Sequence, residues 1–242
     1  MTGTYRVMVV DDHSLFAESL VIALRATGVA AQCVVPRDEM SAGRLVKEVR
    51  QAHPDLVLLD LALGCGVEGT ALVSSLTGFG VAVVLVTGSG DRSRHGEALA
   101  AGAIGVIHKS MPFATIVETV SRIRAGLPVM SRETRAELVS THRDAVSSQH
   151  DVRQRFQQIT RREAEVLGML MAGKQVSDIA RIRVVSESTV RTQVKSILAK
   201  LQVSSQLSAV GLAHEVGWQP PTTHGHGEAR RRPHSSLDLR AG

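Results

Sequence analysis

The first 126 residues alternate short, continuous apolar runs with stretches whose apolar residues fall at helical spacing, and few folds satisfy that alternation. The runs lie at 6–10 (RVMVV), 30–35, 56–59 (LVLL), 81–86 (VAVVLV) and 105–108. Between them, segments 14–27, 40–51, 70–76, 92–101 and 113–125 follow the helical period, marked in the first by Leu15, Leu20, Val21 and Leu24. A strand that is apolar at every position is buried on both faces. Five such strands separated by helices predict a parallel sheet covered on either side. Right-handed crossovers then give a doubly wound, five-stranded α/β domain over residues 1–127.

The rest of the chain reads differently. Residues 128–158 are polar with weak periodicity, as expected of a partly helical linker. Residues 159–218 return to helical spacing and predict an all-α domain of four helices. Residues 219–242 hold Pro, Gly, His and Arg with almost no apolar content, so a disordered tail is expected. Charge divides along the same line. Residues 1–127 carry 11 Lys and Arg against 12 Asp and Glu, whereas 128–242 carry 17 against 11. A near-neutral front and a basic back point to two domains with different partners, the second partner anionic. Aromatic residues make up only 2% of the chain, which argues against recognition by stacked rings. Two cysteines, Cys33 and Cys65, are too few for a disulfide framework or a cysteine metal cluster. No run reaches the roughly 18 apolar residues of a membrane span. The N-terminus turns acidic where a secretory signal would stay apolar, so a soluble cytoplasmic protein is expected.

In a doubly wound sheet, chemistry gathers at the carboxyl ends of the strands. The first apolar run ends in Asp11 and Asp12, the third in Asp60, the fourth in Thr87 and the fifth in Lys109. A lone Asp after a strand commonly serves a turn, and Asp55 after His53 and Pro54 is read that way. Three carboxylates at one sheet end are different, because they repel and invite an oxygen-loving divalent cation such as Mg2+. A carboxylate can attack phosphorus to form an acyl phosphate, for which Lys109 supplies positive charge and Thr87 a hydroxyl donor. On VMVVDDHSLF, DLVLLD ending at Asp60, VLVTG around Thr87 and GVIHKSMPF around Lys109, residues 5–126 resemble a response-regulator receiver domain. The resemblance implies a partner histidine kinase that phosphorylates Asp60. It also implies Mg2+ held directly by Asp12, Asp60 and the backbone carbonyl of Ala62, and by Asp11 through water. Three positions depart from the family pattern: Gly64 where it has Pro, Val106 where it has an aromatic switch residue, and His108 before the lysine.

In the basic part, Thr160 and Glu163 form a capping box and Gly173 ends the helix it opens. Segment 176–181 is a short second helix, 188–201 a third and 206–216 a fourth. In the third, Val190, Val194, Ile197, Leu198 and Leu201 form one apolar stripe. Arg191, Thr192, Lys195 and Ala199 lie opposite, with Gln193 at the edge. Such a face can enter a major groove, where Arg191 and Lys195 reach guanine edges or phosphates and Thr192 reaches a thymine methyl. Gln193 can reach a base or a backbone oxygen. On ITRREAEVLGMLMAGKQVSDIA and SESTVRTQVKSILAKLQVSS, residues 159–217 are similar to the DNA-binding domain of LuxR-type regulators. The resemblance implies that 188–201 is the recognition helix, that Lys174, Ser188 and Lys200 contact the DNA backbone, and that the last helix forms a homodimer on DNA. Arg183 stands where the family has a buried Leu.

Together these features predict a two-component response regulator of the NarL/FixJ type, a transcriptional regulator of double-stranded DNA and not an enzyme. The alternative is a DNA-binding regulator without the phosphate switch, its receiver serving dimerisation or ligand sensing. An aspartyl phosphohydrolase would need an acid two residues after the nucleophile, where this chain has Ala62.

Overall fold

The computed structural model describes residues 4–37, 40–64 and 66–220; the tail beyond residue 220 and Cys65 lie outside them. The chain divides into two compact units, Met1–Ser148 and Gln149–Gly242.

The first unit runs β1 (Arg6–Val10), α1 (Ser14–Arg25), β2 (Ala30–Val34), α2 (Ala42–Gln51), β3 (Leu56–Leu59), α3 (Gly69–Thr77), β4 (Ala82–Thr87), α4 (Arg92–Ala100), β5 (Gly105–His108) and α5 (Phe113–Arg124). The strands pair in the order β2-β1-β3-β4-β5, all parallel. Strand periodicity sorts the core into two layers. Met8, Val10, Val57, Leu59, Val83 and Leu85 pack with Leu45, Val49, Leu72, Leu76 and Leu99 on the side of α2, α3 and α4. Val7, Val9, Leu56, Leu58, Val84 and Val86 pack with Leu20, Leu24, Ile116 and Val120 on the side of α1 and α5. Each such side chain contributes about 1.5–3 kcal/mol by leaving water, which the unbroken apolar runs require. Order reverses at β1, from which the chain goes first to β2 and then across to β3. The carboxyl ends of β1 and β3 therefore flank the topological switch point.

The polar segment after α5 is helical for 26 residues as α6, Arg132–Gln157. Its periodicity is weak in sequence because it is buried only locally. Leu138 joins the core of the first unit and Phe156 the core of the second. Among the described residues no helix is long and apolar enough to cross a membrane.

The second unit adds α7 (Arg161–Met171), α8 (Val176–Arg183), α9 (Glu187–Leu201) and α10 (Gln206–Glu215) to the end of α6. Val166, Leu167, Ile179, Val190, Val194, Ile197 and Leu201 form its core. Phe156 closes it, its ring stacked on Trp218 with centroids 5.4 Å apart. The expected capping box is present at Thr160 and Glu163. Two details of the packing stand out. The Arg183 guanidinium folds over α7, donating to the Arg162 carbonyl at 2.8 Å and pairing with Glu165 at 3.0 Å. On α10 the fully buried residues are Ala209 and Ala213, with Leu212 and Val216 packed beside them, whereas Leu207 is 82% exposed. Small residues fill this seam because α10 lies close against its neighbours, and alanines carry little weight in an apolar pattern.

Candidate functional site

The β1–β3 register places Val10 opposite Leu59, so Asp11 and Asp60 leave the sheet side by side. Thr87 pairs with His108, which puts Lys109 one residue beyond the same edge. Four strand ends thus deliver their side chains to one place. Asp11 is 1% and Asp60 3% exposed. Lys109 Nζ bridges them, 2.7 Å from Asp60 Oδ2 and 2.8 Å from Asp11 Oδ2. Burial pushes the Asp60 carboxyl above its ordinary value, against the pull of Lys109 and of a hydrogen bond from the Ala62 backbone. Burial alone would lower Lys109, but its bonds to Asp11 and Asp60 carry it above the usual lysine value. Thr87 is buried, and its hydroxyl oxygen accepts the Ser89 N–H at 3.1 Å.

Asp12 stands at the rim. Its Oδ1 is buried and forms no hydrogen bond, although His13 Nδ1 lies 2.7 Å away. Ligand atoms of Asp11, Asp12, His13 and Asp60 all fall within 4.8 Å of one another. Carboxylates in excess over the one lysine fit a hard divalent cation such as Mg2+. Ala62 begins the loop that closes over this cluster, pinned by an isolated bridge from Ala62 to Glu68. Glu68 in turn pairs with Arg94 on α4. Gly64 has φ +63, and a Cβ there would sit 2.8 Å from Asp12 Oδ2. The chain uses glycine at this position because its backbone closely approaches a carboxylate. Val106 is partly buried against the α2–α4 side of the core, and His108 is exposed, its Nδ1 2.7 Å from Ser110 Oγ.

In the second unit α8 and α9 meet in a short turn in which Val184 adopts φ 54 and ψ 50. Ser186 caps α9 by accepting the Thr189 N–H, two residues ahead of the expected helix start. The apolar stripe faces inward as expected, while Lys174, Ser188, Arg191, Thr192 and Lys195 are exposed. Arg191 pairs with Glu187 at 2.7 Å, and the Thr192 hydroxyl donates to the Ser188 carbonyl. Gln193 Oε1 is buried without a hydrogen-bond partner. Lys200 is held differently: its Nζ lies 2.6 Å from Glu163 Oε2. Ser196 donates to Glu163 Oε1 at 2.6 Å. Burial would raise this carboxyl, but Lys200, Ser196 and Thr160 together hold it down at about 2. Glu163 was legible as a cap; its reach to α9 has no local sequence signal.

An α/β unit with a lysine-bridged acidic pocket, joined to a helix-turn-helix unit, defines a receiver coupled to a DNA-binding domain. The family described as response regulator receiver domain matches residues 7–121, and that described as bacterial regulatory proteins, luxR family, matches 157–213. The transcriptional regulatory protein LnrK of Bacillus subtilis is 29% identical, over 84% of this chain and 94% of its own length. The probable transcriptional regulatory protein NarL of Mycobacterium tuberculosis is 30% identical over 86% and 93%. The transcriptional regulatory protein DegU of Brevibacillus brevis is 26% identical over 88% and 94%. The chain belongs to the two-component response regulators of the NarL/FixJ type, with a LuxR-type helix-turn-helix domain for DNA.

Proposed function

We propose that Asp60 accepts a phosphoryl group from a partner histidine kinase, and that the modified protein binds promoter DNA in the cytoplasm as a homodimer through α9. The observation that carries the first part is the meeting of Asp11, Asp12, Asp60 and Lys109 from separate strand ends. An Asp60 oxygen attacks the phosphorus of a phosphohistidine. The P–N bond breaks, its electrons leave on the imidazole, and that ring takes a proton from solvent; the product is an acyl phosphate. Lys109 and the Ala62 N–H, already on Asp60, meet the charge that builds on the phosphoryl oxygens. The Thr87 hydroxyl donates to one of those oxygens. Asp11, Asp12, Asp60 and the Ala62 carbonyl would hold Mg2+, which when bound would supply further positive charge to those oxygens.

On the DNA side, Arg191 exchanges its bond to Glu187 for a guanine edge or phosphate beside Lys195. Thr192 meets a thymine methyl, Gln193 a base or backbone oxygen, and Lys174 and Ser188 the phosphates. Lys200, engaged by Glu163, enters this reading as the residue that ties α9 to α7. Exposed Leu207 and the open space at Gly211 give α10 a face for a second copy.

Asp60→Asn abolishes labelling by a small-molecule phosphodonor with Mg2+, and equal labelling of the variant refutes the acceptor assignment. DNA affinity rises with phosphodonor in the wild type. Unchanged affinity in a labelled protein leaves the receiver a dimerisation or ligand-sensing module.

A further inference from the structure

At the amino-terminal edge of the sheet, away from the end that carries Asp60, a cavity of about 540 Å³ opens between the end of α2 and the α3–β4 turn. Pro54 and Val81, each just ahead of a strand, line it together with Lys47 and Arg50 from α2 and His53 and Phe79 from the turns. Lys47 and Arg50 are three residues apart and share a face of α2, and His53 follows in the left-handed region at φ 45. Phe79 is 54% exposed, on a turn closed by the Gly80 N–H, which donates to the Thr77 carbonyl at 2.9 Å. The Arg50 guanidinium lies over its ring, Cζ 3.6 Å from the ring centroid. Among the described residues no carboxylate pairs with Lys47, Arg50 or His53. Glu48 and Asp55, the acids nearest in sequence, do not line the cavity, and Asp55 instead accepts the Arg6 N–H at 2.7 Å.

One cation in its last turn answers the negative end of a helix, which accounts for Arg50 alone. The ring is the sharper observation. The chain has four Phe, one Trp and one Tyr. Phe16 pairs with Phe113, Phe156 stacks on Trp218, and Tyr5 packs against the core. Phe79 instead stands in a cavity beside two cations and an imidazole. Scarce aromatics argue against a platform of rings, not against one ring among cations. A guanidinium stacked by its face keeps its N–H donors at the edge, where they fit the oxygens of a phosphate. The exposed part of the ring leaves room for a second flat group. The volume falls in the range of small-molecule sites. We propose that this cavity binds a nucleoside phosphate, its base stacked against Phe79 and its phosphates held by Arg50, Lys47 and His53. The site is separate from the acidic pocket, because β3 and β4 run their length between the two. It requires no chemistry at Asp60, so it gives the receiver a second, diffusible anion to respond to.

Titration of the isotope-labelled, full-length protein with ADP, followed by amide NMR, tests this, with Mg2+ omitted so that the acidic pocket stays unloaded. Amides of residues 50–53 and 79–81 shift with a Kd of about 0.1–1 mM, the range an open cavity supports. Adenosine and pyrophosphate each bind about tenfold or more weakly, because each keeps half of the recognition. Either one binding as tightly as ADP overturns the two-part ligand. Phe79→Ala weakens ADP about fivefold or more, and Arg50→Ala about tenfold or more. Affinity at the wild-type level in Phe79→Ala overturns the stacking, and in Arg50→Ala the phosphate contact. Lys47→Ala, on the exposed face of α2, judges the phosphate contact in the same way if Arg50→Ala melts early. Shifts centred on Asp11, Asp60 and Lys109 place ADP in the acidic pocket and overturn this site. No shift at about 10 mM ADP overturns it too. If duplex DNA then moves the same amides, the cations are a nucleic-acid contact instead.

Discussion

Glu163 concentrates in one side chain what the DNA-binding unit needs to hold α9 against α7. Its two oxygens take the Thr160 N–H and hydroxyl, the Ser196 hydroxyl and the Lys200 ammonium, joining the start of α7 to the last turns of α9. Burial opposes the charge, and these donors overcome it to hold the carboxyl at about 2. An unfolded glutamate titrates near about 4.3. The folded state therefore binds fewer protons, so the contribution is complete above that value and is lost as pH falls towards 2. Glu163→Gln costs about 2–3 kcal/mol at neutral pH and flattens the acid limb of stability between about pH 5 and 2. Denaturant unfolding at stepped pH measures both, and an unaltered acid limb refutes the assignment. The same scale explains what the sequence withheld. Asp11, Asp12, Asp60, Thr87 and Lys109 were legible because each ends an apolar run. The closeness of Gly64 to Asp12 and of His13 to the cluster depends on the path of a loop, which no residue pattern encodes.

Elements were legible where burial is continuous. β1, β3 and β5 have the limits expected of them, and β3 is buried at all four of its positions. α6 and α10 were only partly readable, because one is buried locally at two places and the other packs through alanines. The turn between α8 and α9 was located, but its strain was not foreseen. Val184 ends α8 in the left-handed region, which a β-branched side chain enters at a cost of roughly 1–2 kcal/mol. It is 90% exposed, so its side chain recovers little by burial. Val184→Gly removes that strain while adding freedom to the unfolded chain, about 0.4–1 kcal/mol in the other direction. The net expectation is a more stable DNA-binding unit by about 1 kcal/mol or less, read as a higher melting temperature. A fall of similar size would mean that Val184 packs in a way its exposure hides.

Across the whole molecule, the basic charge of the second part is smaller in effect than its count. Residues 159–218 hold 8 Lys and Arg against 5 Asp and Glu. Two of those cations are paired away from full exposure: Lys200 with Glu163 and Arg183 with Glu165. Lys174 and Lys195 are exposed, and Arg191 exchanges a solvent-exposed partner easily. The proposed DNA face of Lys174, Arg191 and Lys195 makes three phosphate neutralisations per DNA-binding unit, a slope of log affinity against log salt of about −3 per protomer and about −6 for a homodimer. Lys195→Ala reduces the magnitude by about 1 per protomer. Lys200→Ala leaves the slope unchanged and lowers the melting temperature instead, because its charge is spent inside the fold. A slope that falls by about 1 in Lys200→Ala would return that residue to the DNA backbone, and with it the expectation that the LuxR-type motif alone supports. Titration of one duplex at stepped salt, run beside a melt of each variant, separates a cation that builds the helix-turn-helix from one that binds through it.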